Sequence, residues 1–421
     1  MVPLSPTRRW YIKIVKDVRQ FYSSGLLREN KYKRGEAMKK VLVLAVAVML
    51  IFAGYLTFTT VNSKTPTVVA AKKTYSATVY VAGHGGHFAK ADLTVDPNNE
   101  NDPIKINSLN MVSIGSPANY KTHDARIDSA NSNILFWSTY ALDDKGKMHV
   151  GKLDLKTGNV IKDVALDPDP RAPGTTGPIY CASGQSKNYY MPVFMGAEGY
   201  VDVFDKKTME HKQRVFISDL GYKPGSYQYV HGSNSHDMKK FLITVGLKGD
   251  DGNMNGKQDL ILVDLPSLEK GKMTELKKAT LSGVAGKTIT FRQYFSKDDK
   301  LIFQSAGDRV WVIDAATLKL VDEKMTGAND QNHDVMPTPD GKYALLTLRT
   351  ADTIAYDLQG KPVMDKEGKP LKITDGTLMA YDADAKKLIG KPVSLCFDCH
   401  KKIGKGDKNA ILCGIDANYK K

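Results

Sequence analysis

The chain has 421 residues, of which 42% are hydrophobic and 25% are charged. This is the composition of an ordinary globular protein, so a disordered or fibrous chain is excluded. The formal net charge of +14 is uneven, because residues 1–71 hold 12 Lys and Arg but only 3 Asp and Glu. The remaining residues carry a net charge of about +5, spread over a mixed surface, which predicts solubility rather than nucleic-acid binding.

The basic N-terminal segment, residues 1–71, is predicted to be an export leader. An uncharged apolar run at 41–58 follows Lys39 and Lys40, and small residues at 68–71 follow the run, the order of a signal peptide. Met38 is a natural start for such a signal, so translation is expected to begin there. The alternative is an uncleaved membrane anchor, since 18 residues just span a bilayer. Either way, residues from 72 onward are expected in the periplasm or at the cell surface, with membrane contact only through an uncleaved leader.

The C-terminal region contains Cys396-Phe-Asp-Cys399-His400, the pattern of covalent c-type haem attachment. Two thiols three positions apart can add to the two vinyl groups at one porphyrin edge, and His400 then becomes the axial ligand of the iron. The alternatives are a redox dithiol, half of a zinc site, or chance. A zinc site needs four ligands and no second pair has suitable spacing, while no thioredoxin-like context surrounds the pair. The motif therefore predicts one covalent haem c.

Between leader and motif, a strand–turn–strand unit recurs. Each copy is an alternating apolar strand, an Asp, a short polar turn containing Lys, and a second strand. Asp suits the turn because its side chain can accept from the backbone two residues on. The turn residues are Asp154, Asp205, Asp264, Asp314 and Asp382.

Two further strand-like runs precede each unit, so the pattern is four strands every 40–60 residues, which is typical of a β-propeller. Residues 72–395 are therefore predicted to form one all-β propeller, with 396–421 as a short haem-attachment tail. At roughly 45 residues a blade, about seven blades are expected. The first strand, at 75–82, is expected to complete the last blade and close the ring.

The repeats VWVIDAATLKLV and MPTPDGKYALLTL resemble the YVTN-type propeller repeats. That superfamily includes the d-type-haem propellers of cytochrome nitrite reductases. The resemblance covers roughly residues 72–395 and implies the fold more than the chemistry. In the nitrite reductases the c-type haem domain precedes the propeller, whereas here the motif follows it, so the domain order departs from that family.

Only 21 residues follow His400, and none of them is Met. This is too short for a separate cytochrome domain, so the haem is expected to pack on the propeller, which must also supply any sixth ligand. Residues at the starts of the innermost strands should surround the central opening at the face where the tail emerges. They are predicted to be His123, Cys181, His231, Phe291 and His333.

Of these, His333, His231 and then His123 are the candidate distal haem ligands or ligands of a second cofactor. Propellers also use histidine to fix loops, so each could be purely structural. His84 and His87, in a Gly-rich segment where the backbone can approach a cofactor closely, are further candidates. His236 is predicted to be exposed, and His149 and His211 are given no role.

Cys181 and Cys413 remain once the haem takes its pair. An exported protein lets spare thiols oxidise, so a disulfide between them is one possibility. A buried free thiol and a metal ligand beside the histidines are the others.

Two functions compete. The first is an extracytoplasmic monohaem c-type cytochrome that exchanges electrons with other redox proteins. The second is an oxidoreductase with a further haem or metal in the His-lined funnel, for which the resemblance implies nitrite as substrate. A multinuclear copper site is set aside for lack of a Cys-rich copper motif, and a non-redox binding propeller requires the haem motif to be accidental.

Overall fold

The strands of the described residues belong to six four-stranded antiparallel sheets. The computed structural model describes residues 71–172, 179–327, 331–354, 361–395 and 412–420. The leader at 1–70 and the haem motif, Cys396, Cys399 and His400, lie outside the described residues. None of the helices within the described ranges has the length and apolar composition to span a membrane.

Each sheet is one blade, and its strands follow the chain from the innermost to the outermost. Blade 1 is the exception, because its innermost strand comes from the C-terminal end of the chain. Its other strands are β1 (Tyr75–Ala82), β2 (His87–Val95) and β3 (Ile104–Ser113). Blade 2 contains β4 (Thr122–Ile127), β5 (Ile134–Thr139), β6 (Met148–Asp154) and β7 (Val160–Leu166). Blade 3 contains β8 (Tyr180–Gln185), β9 (Tyr189–Phe194), β10 (Tyr200–Asp205) and β11 (His211–Phe216).

The remaining three blades have the same order. Blade 4 contains β12 (Tyr227–Asn234), β13 (Lys240–Lys248), β14 (Met254–Asp264) and β15 (Glu275–Ser282). Blade 5 contains β16 (Gln293–Phe295), β17 (Leu301–Ser305), β18 (Arg309–Asp314) and β19 (Leu320–Met325). Blade 6 contains β20 (Asn332–Pro337), β21 (Tyr343–Ile354), β22 (Lys372–Asp382) and β23 (Lys387–Ser394), and β24 (Ile415–Tyr419) returns to blade 1. The helices described are a 3-10 turn, Ile217–Leu220, and one α-helical turn, α1 (Leu265–Leu268).

The innermost strands contact one another in a closed circle in the order β24, β4, β8, β12, β16 and β20. This confirms the predicted all-β propeller. The prediction of about seven blades is wrong, since the described residues form six. The error came from assuming about 45 residues a blade. The turn Asp residues are in fact 50 to 68 positions apart, because some hairpins, such as β21–β22, are longer than the neighbouring strands of their blade.

The ring closes through the C-terminal strand rather than through the N-terminal one. β24 pairs antiparallel with β1, from Ala77 opposite Tyr419 to Val81 opposite Ile415. The expectation that β1 completes the last blade is therefore wrong, because blade 6 has four strands of its own. Pairing β24 with β1 brings strands from both ends of the described chain into one sheet, and this closes the circle of blades.

The predicted Asp turns are confirmed where the third and fourth strands of blades meet. Asp154 accepts from the N–H groups of Lys156 and Thr157, at 2.7 and 3.0 Å. Asp205, Asp314 and Asp382 accept in the same way from residues two or three positions on. Asp264 instead caps α1, accepting from Ser267 N–H at 2.8 Å. In all five sequence repeats, the Asp side chain thus accepts a hydrogen bond from a backbone N–H two or three residues later.

The axis of the propeller is crossed by a buried ion-pair cluster built on Arg292. Its Nε donates to Asp334 of β20 at 2.7 Å, and its Nη1 donates to Asp124 of β4 and to the carbonyl of Cys181 in β8. The Asp334 carboxylate also accepts from Ile415 N–H of β24 at 2.9 Å. One guanidinium with its two carboxylates therefore connects the inner edges of five blades.

This cluster predicts a large penalty for removing the cation. Arg292→Met should lower the free energy of unfolding by about 3–5 kcal/mol, because it leaves two carboxylates buried without their partner. The control is Lys300→Met, which breaks an exposed 3.0 Å pair with Asp298 and should cost about 0–1 kcal/mol. Chemical denaturation measures both losses, and equal losses would contradict the role assigned to Arg292.

A second prediction concerns His149, which lies between two carboxylates, Asp163 at 3.0 Å and Asp143 at 3.1 Å. Burial opposes the charged imidazole, but the two carboxylates outweigh it and raise the pKa of His149. A raised pKa stabilises the fold below the unfolded-state pKa of about 6.5, and that stabilisation disappears as the pH rises through the folded-state pKa.

His149→Gln should therefore cost roughly 1 kcal/mol more at about pH 5.5 than at about pH 9. Denaturation curves at both pH values measure the difference. The exposed His236 lies 3.5 Å from Asp299, and His236→Gln serves as control, with a change within about 0.5 kcal/mol at either pH. A pH-independent loss for His149→Gln would show that the side chain acts only through packing.

Candidate functional site: a ring of histidines and cysteines at the channel end

Three innermost strands carry an extra residue at the same place. In blades 2, 3 and 6 the pairing with the second strand skips one residue, and the skipped residues are His123, Cys181 and His333. Such β-bulges re-aim a side chain and are enriched beside functional sites. The predicted shared repeat position of these residues thus has a structural cause.

Blades 1 and 5 have the same irregularity in their hydrogen bonds. Cys413 N–H donates to Ala82 O at 2.9 Å, while Ala82 N–H donates to Gly414 O at 2.8 Å, so two residues oppose one. Phe291 and Arg292 oppose Ser305 in the same way. In blade 4 the shift occurs earlier, at Tyr229 with φ 58°, and His231 pairs with Thr244.

These residues define what we call the channel ring: His123, Cys181, His231, Phe291, His333 and Cys413. Ring centroids of His123 and His333 lie 5.3 Å apart, and Phe291 stacks on His333 at 4.7 Å. His231 meets the edge of Phe291 at 5.7 Å. The structure thus brings the five residues predicted for this position to one end of the channel, together with Cys413, which sequence reasoning had not assigned to it.

His84 covers one side of the channel ring. It occupies a left-handed backbone position, φ 58°, in the Gly-rich turn between β1 and β2. Its imidazole centroid lies 5.0 Å from His123 and 4.1 Å from Tyr140. Of the two further candidates in this turn, His84 thus lies beside the channel ring, whereas His87 begins β2 and contacts the Gly85 carbonyl.

The remaining histidines lie elsewhere. His236 is exposed, as predicted. His149 is bound by Asp143 and Asp163, and His211 lies 2.9 Å from Asp202. Neither belongs to the channel ring, in agreement with giving them no role.

Hydrogen bonding determines which imidazole nitrogens are free. His123 Nδ1 contacts the Tyr180 carbonyl, and His231 Nδ1 contacts the Tyr229 carbonyl at 3.1 Å. A carbonyl only accepts, so both Nδ1 atoms carry the proton and both Nε2 atoms keep a lone pair. Within the described part of the chain, the Nε2 atoms of His123 and His231 are buried and have no hydrogen-bond partner.

Burial keeps these groups uncharged. It lowers the pKa of His123 and His333 well below the ordinary value. It is also the largest cause of the lowered pKa of His84 and His231, which is about 3 for each. The charge of Arg349 lowers the pKa of His84, His123 and His333 further. Neutral imidazole is the form that binds a metal ion or a haem iron.

Cys181 and Cys413 are both buried, and the disulfide considered between them is not formed in the structure. Each sulfur instead lies near a histidine: Cys181 Sγ is 3.4 Å from His333 Nε2, and Cys413 Sγ is 3.4 Å from His84 Nε2. Burial raises the pKa of Cys181, and raises that of Cys413 to about 11. Both thiols are thus protonated at neutral pH in the absence of a bound ion.

Sequence analysis had not named Arg292, and it had considered Cys413 only as a disulfide partner of Cys181. Arg292 follows Phe291 as an isolated cation in an apolar strand, which is an unusual place for an unpaired charge. Cys413-Gly414 precedes a short apolar run, but so short a tail gives no sign that it forms an innermost strand. Gly414 is required there, since a Cβ would approach the Arg292 guanidinium carbon to 2.7 Å.

No protein-family model matches the sequence, and no curated protein matches it. Three solved structures share the general form. A protein of unknown function from Bacteroides caccae is 11% identical, with a TM-score of 0.45 and coverage of 81% of this chain and 98% of that one. Hydrazine synthase of Kuenenia stuttgartiensis is 13% identical, with a TM-score of 0.40 and coverage of 64% and 74%. The β-propeller domain of Myceliophteria thermophila Cps50 (Swd1) is 13% identical, with a TM-score of 0.36 and coverage of 64% and 85%. Likenesses this distant carry no argument about chemistry.

The buried thiols yield a prediction. In the Cys396→Ser/Cys399→Ser variant, a thiol reagent should find no reactive cysteine in the native protein, because both remaining thiols are buried and protonated. Two thiols should react once the protein is denatured with a chelator and without reductant. Fewer than two after denaturation would reveal a disulfide, and rapid native reaction would contradict the burial.

Proposed function

We propose that the protein is an extracytoplasmic redox protein, a YVTN-type propeller carrying one c-type haem on Cys396 and Cys399 with His400 as the proximal ligand. It would exchange single electrons with other redox proteins, after export by its leader. A c-type haem, when bound, supplies one-electron chemistry.

One observation carries this proposal: Leu395 and Leu412, the described residues on either side of the segment 396–411, both contact Gly376 of β22. Leu395 N–H reaches the Gly376 carbonyl at 3.3 Å. A Cβ on Gly376 would lie 2.5 Å from the Leu412 side chain. Both ends are therefore held at one point of β22, and Cys413, one residue further on, belongs to the channel ring.

The direction of the strands supports the same location. Strands alternate in direction within a blade, so an outermost strand ends at the face where the next innermost strand begins. β23 and β24 are related in this way, and the starts of the innermost strands carry the channel ring. The 16 residues of 396–411 connect these two points in the sequence, and our proposal is that the haem they carry packs on this face.

The described residues fit a haem as neighbour. His231 offers a buried neutral imidazole whose Nε2 has no partner in the described ranges, the atom that an axial ligand uses. His123 offers the same atom, to the haem iron or to another metal ion but not to both. The charge of Arg349 acts on His84 and His123, and its guanidinium is available for the carboxylates of a cofactor. The chain can thus supply a sixth ligand and charge compensation from one face.

A second function has an observation of its own. The channel ring and His84 together offer more metal-binding side chains than the one axial ligand that a single haem iron would take from the propeller. They support the alternative of an oxidoreductase in which the ring holds a further haem or a metal and the attached haem delivers electrons to it.

The first function predicts one covalent haem per chain. In a host able to assemble c-type haem, Cys396→Ser/Cys399→Ser should abolish haem that survives denaturation, because the thioether bonds cannot form. The pyridine haemochrome per chain measures it. Cys181→Ser/Cys413→Ser, which removes the same number of thiols, should keep the covalent haem.

Retention of covalent haem in the first variant would overturn the assignment. One haem per chain without another chromophore would favour the cytochrome, while a second chromophore would favour the oxidoreductase.

A further inference from the structure

We propose that His123, Cys181 and His333 bind a single thiophilic transition-metal ion, Zn²⁺ or Cu⁺, in the channel of the propeller. This site does not depend on the haem proposal, because all its ligands are described residues distinct from Cys396, Cys399 and His400.

The three side chains already have the spacing of a metal site. Their ligand atoms all lie within 4.8 Å of one another, and Cys181 Sγ is 3.4 Å from His333 Nε2. All three residues are 0% exposed. With bonds of about 2.0–2.3 Å to nitrogen and sulfur, an ion between them needs only a small contraction.

The state of His123 points to a missing ligand. Its Nδ1–H is used by the Tyr180 carbonyl, so the buried Nε2, which has no hydrogen-bond partner among the described residues, keeps its lone pair for a ligand. A buried acceptor without a partner costs about 1–3 kcal/mol, and a metal ion would satisfy it. The hydrogen bond at Nδ1 is the outer contact that metal-bound histidines ordinarily make.

The Nε2 atom of His123 also determines how many ions can bind. His84, His123 and Cys413 form a second group within 4.8 Å, and both groups share His123. One free lone pair on His123 can bind only one ion. His84 and Cys413 are therefore the neighbours from which that ion would take a fourth ligand, rather than a second centre.

The donor set selects the kind of ion. It consists of thiols and imidazoles, and the nearest described carboxylates, Asp124 and Asp334, are occupied by Arg292. Thiolate with imidazole suits Zn²⁺ and Cu⁺, whereas Mg²⁺ and Ca²⁺ require oxygen ligands. Binding would release the Cys181 proton, since the thiolate is the ligand.

The ion-pair cluster holds all three ligands in place. His123 directly precedes Asp124, and His333 directly precedes Asp334, the two carboxylates on Arg292. Arg292 Nη1 also donates to the backbone carbonyl of Cys181. Each ligand thus stands on a bulge whose backbone is tied to one guanidinium, which is the rigid support that a metal site needs.

The test uses the full-length protein with and without haem, the latter as the Cys396→Ser/Cys399→Ser variant. After removal of loosely bound ions, elemental analysis should find about one Zn or Cu per chain in both, besides the iron of the haem. In metal-free protein, Co²⁺ should bind one to one and produce the near-ultraviolet charge-transfer band of a cobalt–thiolate bond. Separate titrations with Zn²⁺ and Cu⁺ decide which ion binds more tightly.

Cys181→Ser should abolish the cobalt–thiolate band and weaken binding of the preferred ion at least ten-fold, with Cys413→Ser less affected. His236→Gln, at an exposed histidine, should change neither, and circular dichroism checks that each variant is folded. If Cys181→Ser does not fold, the band in otherwise unaltered protein, blocked by prior Zn²⁺, remains the test.

Absence of the band, or one-to-one binding that Cys181→Ser does not weaken, would overturn the site. Neither result would affect the haem count, so failure of this inference and failure of the haem proposal are distinguishable.

Discussion

The fold depends on one buried cation. Arg292 donates to carboxylates or a carbonyl on β4, β8 and β20, and through Asp334 it reaches β24. Burial raises the pKa of Asp334, whereas the charges of Arg292 and Arg126 outweigh burial and lower the pKa of Asp124. A buried charge that lost these partners would be strongly destabilising, so the inner strands are held in one relative position. Blades that otherwise meet in pairs, through apolar packing and single hydrogen bonds such as that from Gln185 to the Ile127 carbonyl, thereby acquire a common centre.

The candidate site is a consequence of that centre. The bulges at His123 and His333 come one residue before Asp124 and Asp334, the carboxylates that pair with Arg292. The bulge at Cys181 carries the carbonyl to which Arg292 donates. A bulge turns a side chain that would otherwise point between blades, and its repetition in several blades collects polar groups on the axis. The result is a group of neutral imidazoles and thiols, surrounded by the charges of Arg292 and Arg349. Such groups are costly to bury without partners, which is why a ligand is the simplest physical reason for them.

The C-terminal residues 412–420 contribute both to the closure of the propeller and to the channel ring. Residues 415–419 complete blade 1 as its innermost strand, and Cys413 joins the channel ring, where its carbonyl accepts from Thr347 at 2.9 Å. In the sequence, the proposed haem motif falls between blade 6 and this strand. A cofactor attached there would be connected to the closure of the propeller, so its loading and the stability of the ring would be coupled.

The sequence alone determined the features that depend on neighbouring residues. The alternating strands, the Asp turns at Asp154, Asp205 and Asp314, and the repeat position of His123, Cys181 and His333 follow from local pattern, and the propeller follows from their repetition. The haem prediction is equally local, because it rests only on the spacing of Cys396, Cys399 and His400, and it stays a prediction. Tertiary structure decided what depends on distant contacts: six blades rather than seven, closure by β24, and the place of Cys413. Arg292 makes the same point, since its partners Asp124 and Asp334 are 168 and 42 residues away. No local pattern encodes such pairings, because only the closed ring brings those strands together.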